Sequence, residues 1–426
     1  MLLCANFFEL FSKRRNIIFF FILLFWFIFK IGVYRYVGFP QAVKLSIIVK
    51  FLSAGMFLFC IKDILRIKKY KYTSLIAINV ILSFLISIFL WDASPYYSVQ
   101  AQGTSVGLLY IIVYFALRKW KVEKMTVQYV LITLSIIYLL CWGYSLYKMP
   151  EMVFGIDRDN NYGEIVEERG FYRLFIPGNI SPILSFYFLG IFLNKKKKWG
   201  LFLFLVMLLI VILHVGRQII IWTVIISSIM IFVHYRKSIV YFLFSIILGY
   251  ISLQFIAEEV PAVSAMIELT DEQGKYFEKD IRVKASKYFI FDYPHNFVTT
   301  MLGNGVPAVG SELYRIEQHA VRKGYYQTDV GFIAMYCNYG IITIILFVLL
   351  LIKVIRLKVE PNYEYLKYYI YFLYGTYLMS QALTSSIFTL MMAYYVLEKS
   401  AKDYKKYKNI ADSSINVSND IIALPN

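Results

Sequence analysis

Long apolar runs separated by short polar connections recur along almost the whole chain, near 16–34, 46–62, 73–91, 103–117, 126–147, 175–193, 199–213, 218–233, 238–256 and 329–352. Coiled as α-helix, a run of about 18 or more apolar residues matches the ~30 Å hydrocarbon core of a bilayer. None of these runs alternates polar with apolar positions at the period of two that a membrane β-barrel requires. The stretch 366–397 is too long for one ordinary span and is interrupted by "SQALTSS" (380–386), so it reads as two short or tilted helices. The pattern predicts an all-α polytopic integral membrane protein of about 12 transmembrane helices. Helices 1–5 occupy 1–147, helices 6–9 occupy 175–256 and helices 10–12 occupy 329–397. Two long connections, 148–174 and 257–328, separate these blocks, and a tail follows at 398–426 whose end reads as disordered.

Composition agrees with this pattern. Of 426 residues, 59% are hydrophobic, 19% aromatic and only 17% charged, against about 25% charged in soluble domains. Cys4, Cys60, Cys141 and Cys337 show no metal or disulfide spacing and lie in or beside apolar runs, as packing residues do. The first apolar run has no small-residue cleavage site and reads as a signal anchor.

A net charge of +17 would suit a nucleic-acid partner, but the placement of the charge points to the lipid bilayer instead. Basic residues sit between apolar runs, as in "SKRR" (12–15), "RIKKYK" (66–71), "RKWK" (118–121) and "KKKK" (195–198). With the N-terminus in the cytoplasm, the cytoplasmic connections, the edge residue Lys367 and both termini hold 27 of the 44 basic residues, as the positive-inside rule requires. The C-terminal tail, with Lys399, Lys402, Lys405, Lys406 and Lys408, is then cytoplasmic as well, and the two long connections face out. Long connections inside a compact membrane protein usually carry function. The second contains amphipathic pieces such as "IRVKASKYFIFDY" (281–293), suited to lying along the membrane surface.

Within this topology a few polar residues stand out. "LHVGRQIIIW" (213–222) puts His214 and Arg217 into a tight outer turn, where topology does not call for a positive charge. Arg217 is either an interfacial arginine snorkelling to headgroups or a clamp whose guanidinium fork fits phosphate oxygens. Arg173 and Asn179 lie in "YRLFIPGNISP" (172–182), a broken helix start that exposes N–H groups suited to an anion; otherwise Arg173 pairs with Glu167 or Glu168. His295 is the one group in "DYPHNFVTTMLGNGVP" (292–307) able to exchange a proton near neutral pH, unless it is a structural loop histidine. Arg315, His319, Arg322 and Lys323 form a basic group before the next span. Asp329 opens that span in "QTDVGFIAMYCNYG" (327–340), either as a helix cap or as a general base for a hydroxyl nucleophile. No Walker loop, nucleophile elbow, Rossmann fingerprint or metal spacing is present.

The sequence resembles the Wzy-type O-antigen or capsular polysaccharide polymerases within the polymerase/ligase superfamily of membrane glycosyltransferases. The resemblance rests on the arrangement of spans and two long outer loops and on "YRLFIPGN" (172–179), "GRQIII" (216–221), "LGNGVP" (302–307) and "TDVGFI…YG" (328–340). It implies a GT-C-like architecture in the cell inner membrane. It also implies transfer of a growing glycan from undecaprenyl pyrophosphate to a hydroxyl of a new lipid-linked repeat unit, with no cofactor and no metal required. Arg217 and Arg173, helped by Arg322, would hold the pyrophosphate, with His214, Asn179 and Arg315 lining the substrate site. Asp329 or His295 would serve as base. Implied partners are undecaprenyl-pyrophosphate-linked oligosaccharides, a chain-length regulator and a flippase of the same pathway. Two competing readings stand beside it. An O-antigen ligase is suggested by His295-Asn296 followed by Gly305, and a flippase for the same lipid-linked units is the non-enzyme alternative.

Overall fold

The computed structural model describes residues 14–39, 41–149, 151–155, 167–168, 171–172, 176, 180–214, 216–235, 280–378, 380 and 382–422. Among these the chain is helical, apart from Glu167–Glu168 paired antiparallel with Phe171–Tyr172 and an isolated bridge between Tyr36 and Phe154. In chain order the helices are α1 (Arg14–Lys30), α2 (Gln41–Ile64), α3 (Ile67–Phe89), α4 (Pro95–Gln102), α5 (Ile112–Lys119), α6 (Lys124–Tyr147), α7 (Ser181–Lys195), α8 (Lys198–Leu213) and α9 (Arg217–Tyr235). They continue with α10 (Ile281–Lys287), α11 (Phe297–Leu302), α12 (Glu312–Arg322), α13 (Phe332–Arg356), α14 (Tyr365–Thr376), α15 (Ala382–Ser385) and α16 (Ile387–Ile422). Five of them, α2, α3, α6, α9 and α13, are long and apolar enough to cross a bilayer.

Three expectations change. The run 103–117 is not one helix. A single 3-10 turn (Leu109–Ile111) leads into the short α5, and Leu108–Leu117 are all buried. Its apolarity reflects enclosure by α2 and α16 rather than exposure to lipid. The tail expected to be disordered continues as the helical backbone of α16 to Ile422, because nothing in "EKSAKDYKKYKNIADSS" breaks a helix. The span expected at 329–352 begins at Phe332, with Asp329 in a separate 3-10 turn. The break expected inside 366–397 is present between α14 and α16, and the expected span 238–256 lies outside the described residues.

Contacts sort the ends of the helices into two sets. At one end Asn16 Nδ2 donates to Glu123, Lys119 to the Phe59 carbonyl, Asn194 Nδ2 to the Pro361 carbonyl at 3.2 Å and Lys399 to the Val122 carbonyl at 2.7 Å. Glu398, buried there, takes Arg118, Lys353 (3.1 Å) and the Tyr114 hydroxyl. Lys124 bridges Glu360 and Asp403 at 2.6 Å each. All of these segments belong to the connections that the charge pattern groups on one face. At the other end, Val37 N–H donates to the Val153 carbonyl at 3.0 Å and Glu312 N–H to the Trp91 carbonyl at 3.2 Å.

Between α1 and α2 the chain makes one left-handed turn, with φ of +64° at Gly32, +53° at Val33, +55° at Tyr34 and +57° at Arg35. A left-handed residue with a Cβ costs roughly 1–2 kcal/mol, so three of them in a row need support. Tyr34 supplies some of it. Its ring is buried against Tyr138, its hydroxyl donates to the Leu134 carbonyl at 3.3 Å, and its carbonyl accepts from Gly155 N–H at 3.1 Å.

The second structural device is a broken helix. α13 loses helical geometry at Gly340 (φ +70°, ψ +175°), which strips hydrogen-bond donors from the carbonyls just before it. The 302–307 segment replaces them. Asn304 N–H donates to the Cys337 carbonyl at 2.8 Å and Gly305 N–H to the Asn338 carbonyl at 3.0 Å. Asn79 of α3 donates to the Tyr339 carbonyl and to Thr343 Oγ1, both at 2.6 Å. Residues 303–308 are consequently buried, seated on the small side chains of Asn79, Ser83 and Ser87, four apart on one face of α3. A Cβ at Gly303 would lie 2.3 Å from the Asn338 backbone, one at Gly305 2.5 Å from the Ser83 carbonyl, and one at Gly340 2.2 Å from the Met301 carbonyl.

Gly303→Ala is therefore expected to lower the thermal midpoint of the detergent-purified protein by the equivalent of about 1–3 kcal/mol or to abolish folding. Gly143→Ala, on a helix with open space around the new methyl, should be neutral or raise the midpoint slightly. Similar midpoints for the two variants would contradict the described crossing.

Candidate functional site

Residues 280–331 build a small unit with its own core on the broken end of α13. Asp280 caps α10 by accepting from Arg282 N–H at 2.7 Å, and α10 runs on into a π-helical turn, Tyr288–Asp292. Asn296 and Thr299 exchange hydrogen bonds as a capping box that starts α11, and Ser311 caps α12. Ala285, Phe289, Tyr293, Leu313, Ala320 and Val330 pack with Ala334 and Cys337 of α13. The "IRVKASKYFIFDY" piece thus turns Ala285, Phe289 and Tyr293 inward, while Ile290 and Phe291 stay exposed.

His295 lies at the edge of this core. Its Nε2 donates to the Phe289 carbonyl at 3.1 Å, which also accepts from Cys337 Sγ at 3.3 Å, and its ring lies 5.0 Å from that of Tyr336. Its Nδ1 is buried and without a partner among the described residues. The polar chain continues inward. Gln327 Nε2 donates to the Tyr293 hydroxyl at 3.4 Å, and Gln327 Oε1 accepts from Asn338 Nδ2 at 2.8 Å.

Asp329 follows Gln327 in the same 3-10 turn, half-buried. It does not cap α13: the cap residue is Gly331, with no side-chain hydrogen bond. What it has is the Thr328 hydroxyl at 3.5 Å, a long contact. Capping is therefore not what occupies this carboxylate.

α12 presents two faces. Arg315, His319 and Arg322, at helical spacing, are exposed. Leu313, Glu317 and Ala320 share the opposite face, where Leu313 and Ala320 are buried. Burial pushes the Glu317 carboxyl up to about 7, and its charge adds to the burial that holds the Tyr293 hydroxyl well above its usual value. A half-buried titratable acid beside the unit's core is a functional candidate that the sequence reading passed over. The signal was there: Leu313, Glu317 and Ala320 recur at i, i+4 and i+7.

The other candidates sit elsewhere. Arg217 starts α9, half-buried, in the turn that holds His214. His214 is stacked, with its ring 4.5 Å from Trp142 and 5.8 Å from Tyr138, nearly parallel to both. Its Nδ1 bonds the Ile210 carbonyl at 2.7 Å, and burial lowers its pKa, so near neutral pH it is a flat neutral spacer rather than a cation. Tyr138 in turn stacks edge-on with Tyr34 at 5.9 Å, which links the 214–217 turn to the left-handed turn 32–35. Arg173 and Asn179 lie outside the described residues. The structure thus gathers His295, Gln327, Asp329 and α12 on one unit and carries His214 and Arg217 on another element.

These observations define a helical membrane protein that carries a polar unit at one end of its helix bundle. Among known proteins, no family model and no curated protein matches this chain.

Folded, the Glu317 carboxyl holds its proton up to about pH 7; unfolded, it ionises near 4.5. Its contribution to stability is therefore complete below pH 4.5 and is lost as pH rises to about 7. Glu317→Gln keeps a neutral side chain throughout. The thermal midpoint of the variant relative to wild type should rise between pH 4.5 and 7 and level off above, and a pH-independent difference would show that Glu317 is not the titrating group.

Proposed function

We propose that the chain is a membrane glycosyltransferase that polymerises undecaprenyl-pyrophosphate-linked oligosaccharide repeats into O-antigen or capsular polysaccharide. In this reading about 12 spans sit in the cell inner membrane, both termini are cytoplasmic, and the 148–174 and 257–328 segments face the opposite side. The observation that carries it is a polar unit bolted to a broken membrane helix through Asn304 and Gly305. That unit carries Asp329, which does not cap α13, and a helix, α12, with Arg315 and Arg322 exposed. Such a mount holds sugar-binding and proton-transfer groups at a fixed height above the lipid, which a lipid-linked substrate demands.

In the reaction, the acceptor hydroxyl oxygen attacks the anomeric carbon of the donor chain, and its proton passes to Asp329. The anomeric carbon–oxygen bond to the diphosphate breaks, and undecaprenyl pyrophosphate leaves with the electron pair. Fixed cations offset the charge that develops on it: Arg217, with Arg173 and Arg322. His295 is the second candidate base, and Arg315 and Asn179 line the path of the substrate. A chain-length regulator and a flippase of the same pathway are the expected partners.

Purified protein in nanodiscs, supplied with lipid-linked repeat units, should produce a ladder of lengthened glycans. Transfer only to a lipid A core would identify a ligase instead, and no glycosidic product with either acceptor would leave a transporter. Asp329→Asn should reduce chain growth by roughly 10²-fold or more; near-normal growth removes Asp329 as the base. Arg217→Ala should likewise shorten or abolish the ladder at normal protein level, and full-length product from both Arg217→Ala and Arg217→Lys would rule out the clamp.

A further inference from the structure

We propose that the turn carrying Phe291 and Phe297 is a re-entrant tip that inserts shallowly into the acyl chains of the leaflet opposite the charged end of the bundle, whether or not the protein joins sugars.

Depth can be measured along two helices from one charged cluster. Arg118 and Lys353 share the buried carboxylate of Glu398, and the Arg118 guanidinium lies 5.8 Å over the Tyr70 ring. Tyr70 of α3 and Lys353 of α13 therefore stand at one level, and a cluster of three charges belongs at or outside the near boundary of the hydrocarbon. Along α3, Asn79, Ser83 and Ser87 follow Tyr70 by 9, 13 and 17 positions, roughly 14, 20 and 26 Å at 1.5 Å per residue. Along α13, Thr343 precedes Lys353 by 10 positions, roughly 15 Å by the same rise. The two rulers agree, since Asn79 Nδ2 donates to Thr343 Oγ1 at 2.6 Å. A hydrocarbon core is ~30 Å thick, so the crossing of segment 302–307 over Ser83 and Ser87 lies below its far boundary. Helix tilt lowers it further.

The tip is tied to that level. Asn304 N–H donates to the Cys337 carbonyl at 2.8 Å, and Asn304 Nδ2 to the Pro294 carbonyl at 3.0 Å, which holds Pro294 beside the crossing. Around Pro294 the chain closes on itself: Tyr293 N–H reaches the Tyr288 carbonyl at 2.9 Å and His295 Nε2 the Phe289 carbonyl at 3.1 Å. Phe291 and Phe297 flank Pro294 three positions to either side, 77% and 78% exposed, with Ile290 and Val298 exposed beside them. At this depth the medium that meets bare phenylalanines is acyl chain.

The surroundings suit a shallow insertion. Lys284 and Lys287 are exposed on α10, and their stripe continues at helical spacing into Ile290 and Phe291. Basic residues that can reach headgroup phosphates thus precede apolar ones that reach below them. Asp292 and Asn296, exposed between the phenylalanines, confine the tip to the boundary rather than the midplane. Asn296 N–H donates to Thr299 Oγ1 at 2.8 Å and Thr299 N–H to Asn296 Oδ1 at 2.9 Å, so the turn itself satisfies groups that lipid cannot. The irregular backbone of 303–308 is buried in protein, the condition under which non-helical chain is tolerated at membrane depth.

The test places a nitroxide spin label on Phe291→Cys, Phe297→Cys and, as the water-facing control on α12, His319→Cys. The full-length protein carries Cys4→Ser and Cys141→Ser and sits in phosphatidylcholine nanodiscs. Cys60 and Cys337 are fully buried, and their failure to label reports that each variant is folded; Ile290→Cys and Val298→Cys replace any variant that does not pass. Molecular oxygen concentrates in hydrocarbon and a neutral nickel chelate in water. The ratio of oxygen to nickel collisions should be several-fold higher at 291 and 297 than at 319. A ratio at 291 and 297 equal to that at 319 would put the tip in water and overturn the proposal. Labels at 291 and 297 that neither reagent reaches would overturn it as well, because a protein surface such as a second copy would then cover the tip. The measurement involves no glycan transfer, so its failure leaves the proposed activity standing, and loss of that activity leaves the tip in place.

Discussion

A backbone carbonyl in hydrocarbon has no water to turn to, and everything at one end of this molecule follows from how three such carbonyls are satisfied. α13 breaks at Gly340, and the groups it leaves open at Cys337, Asn338 and Tyr339 accept from Asn304, Gly305 and Asn79. An unmet group at that depth would cost several kcal/mol, so segment 302–307 is bound to α13 as tightly as a neighbouring helical turn would be. Gly303, Gly305 and Gly340 are required because backbone passes backbone at distances no Cβ tolerates. The Asn79, Ser83 and Ser87 face of α3 is small for the same reason.

Once that crossing is fixed, the unit over 280–331 has little freedom. Its core uses the first turns of α13, through Ala334 and Cys337, and the Phe289 carbonyl ties His295 and Cys337 to one acceptor. The polar residues of this unit therefore hold a set height relative to the spans. The opposite end of the bundle is organised by charge instead. Buried Glu398 is shared by Arg118 and Lys353, and Lys124 is shared by two carboxylates, so cations there are neutralised within the protein.

Candidate residues were legible in unequal degree. Asp329 and His295 stood out because a carboxylate at a span boundary and a histidine among apolar residues are conspicuous against their surroundings. Glu317 did not, since a glutamate in a charged helix looks like a solvated face until the helix is packed and Leu313 and Ala320 turn inward beside it. Asp329 could be read as a cap from "QTD", and only the placement of Gly331 at the helix start decided otherwise. His214 was chosen as a polar ligand, but its stacking on Trp142, from a different helix, makes it a neutral plate.

The sequence by itself determined the class of the molecule, because apolar runs of bilayer length leave a chain few alternatives to helices, and it determined which connections share a face, because basic residues follow the membrane's asymmetry. Only the tertiary structure decided that 108–117 is enclosed by other helices and that the glycines of two distant motifs cross each other. Periodicity and charge are properties of a single segment and can be read along the chain, whereas enclosure, backbone crossing and charge proximity belong to pairs of segments far apart in sequence and exist only once those segments are packed.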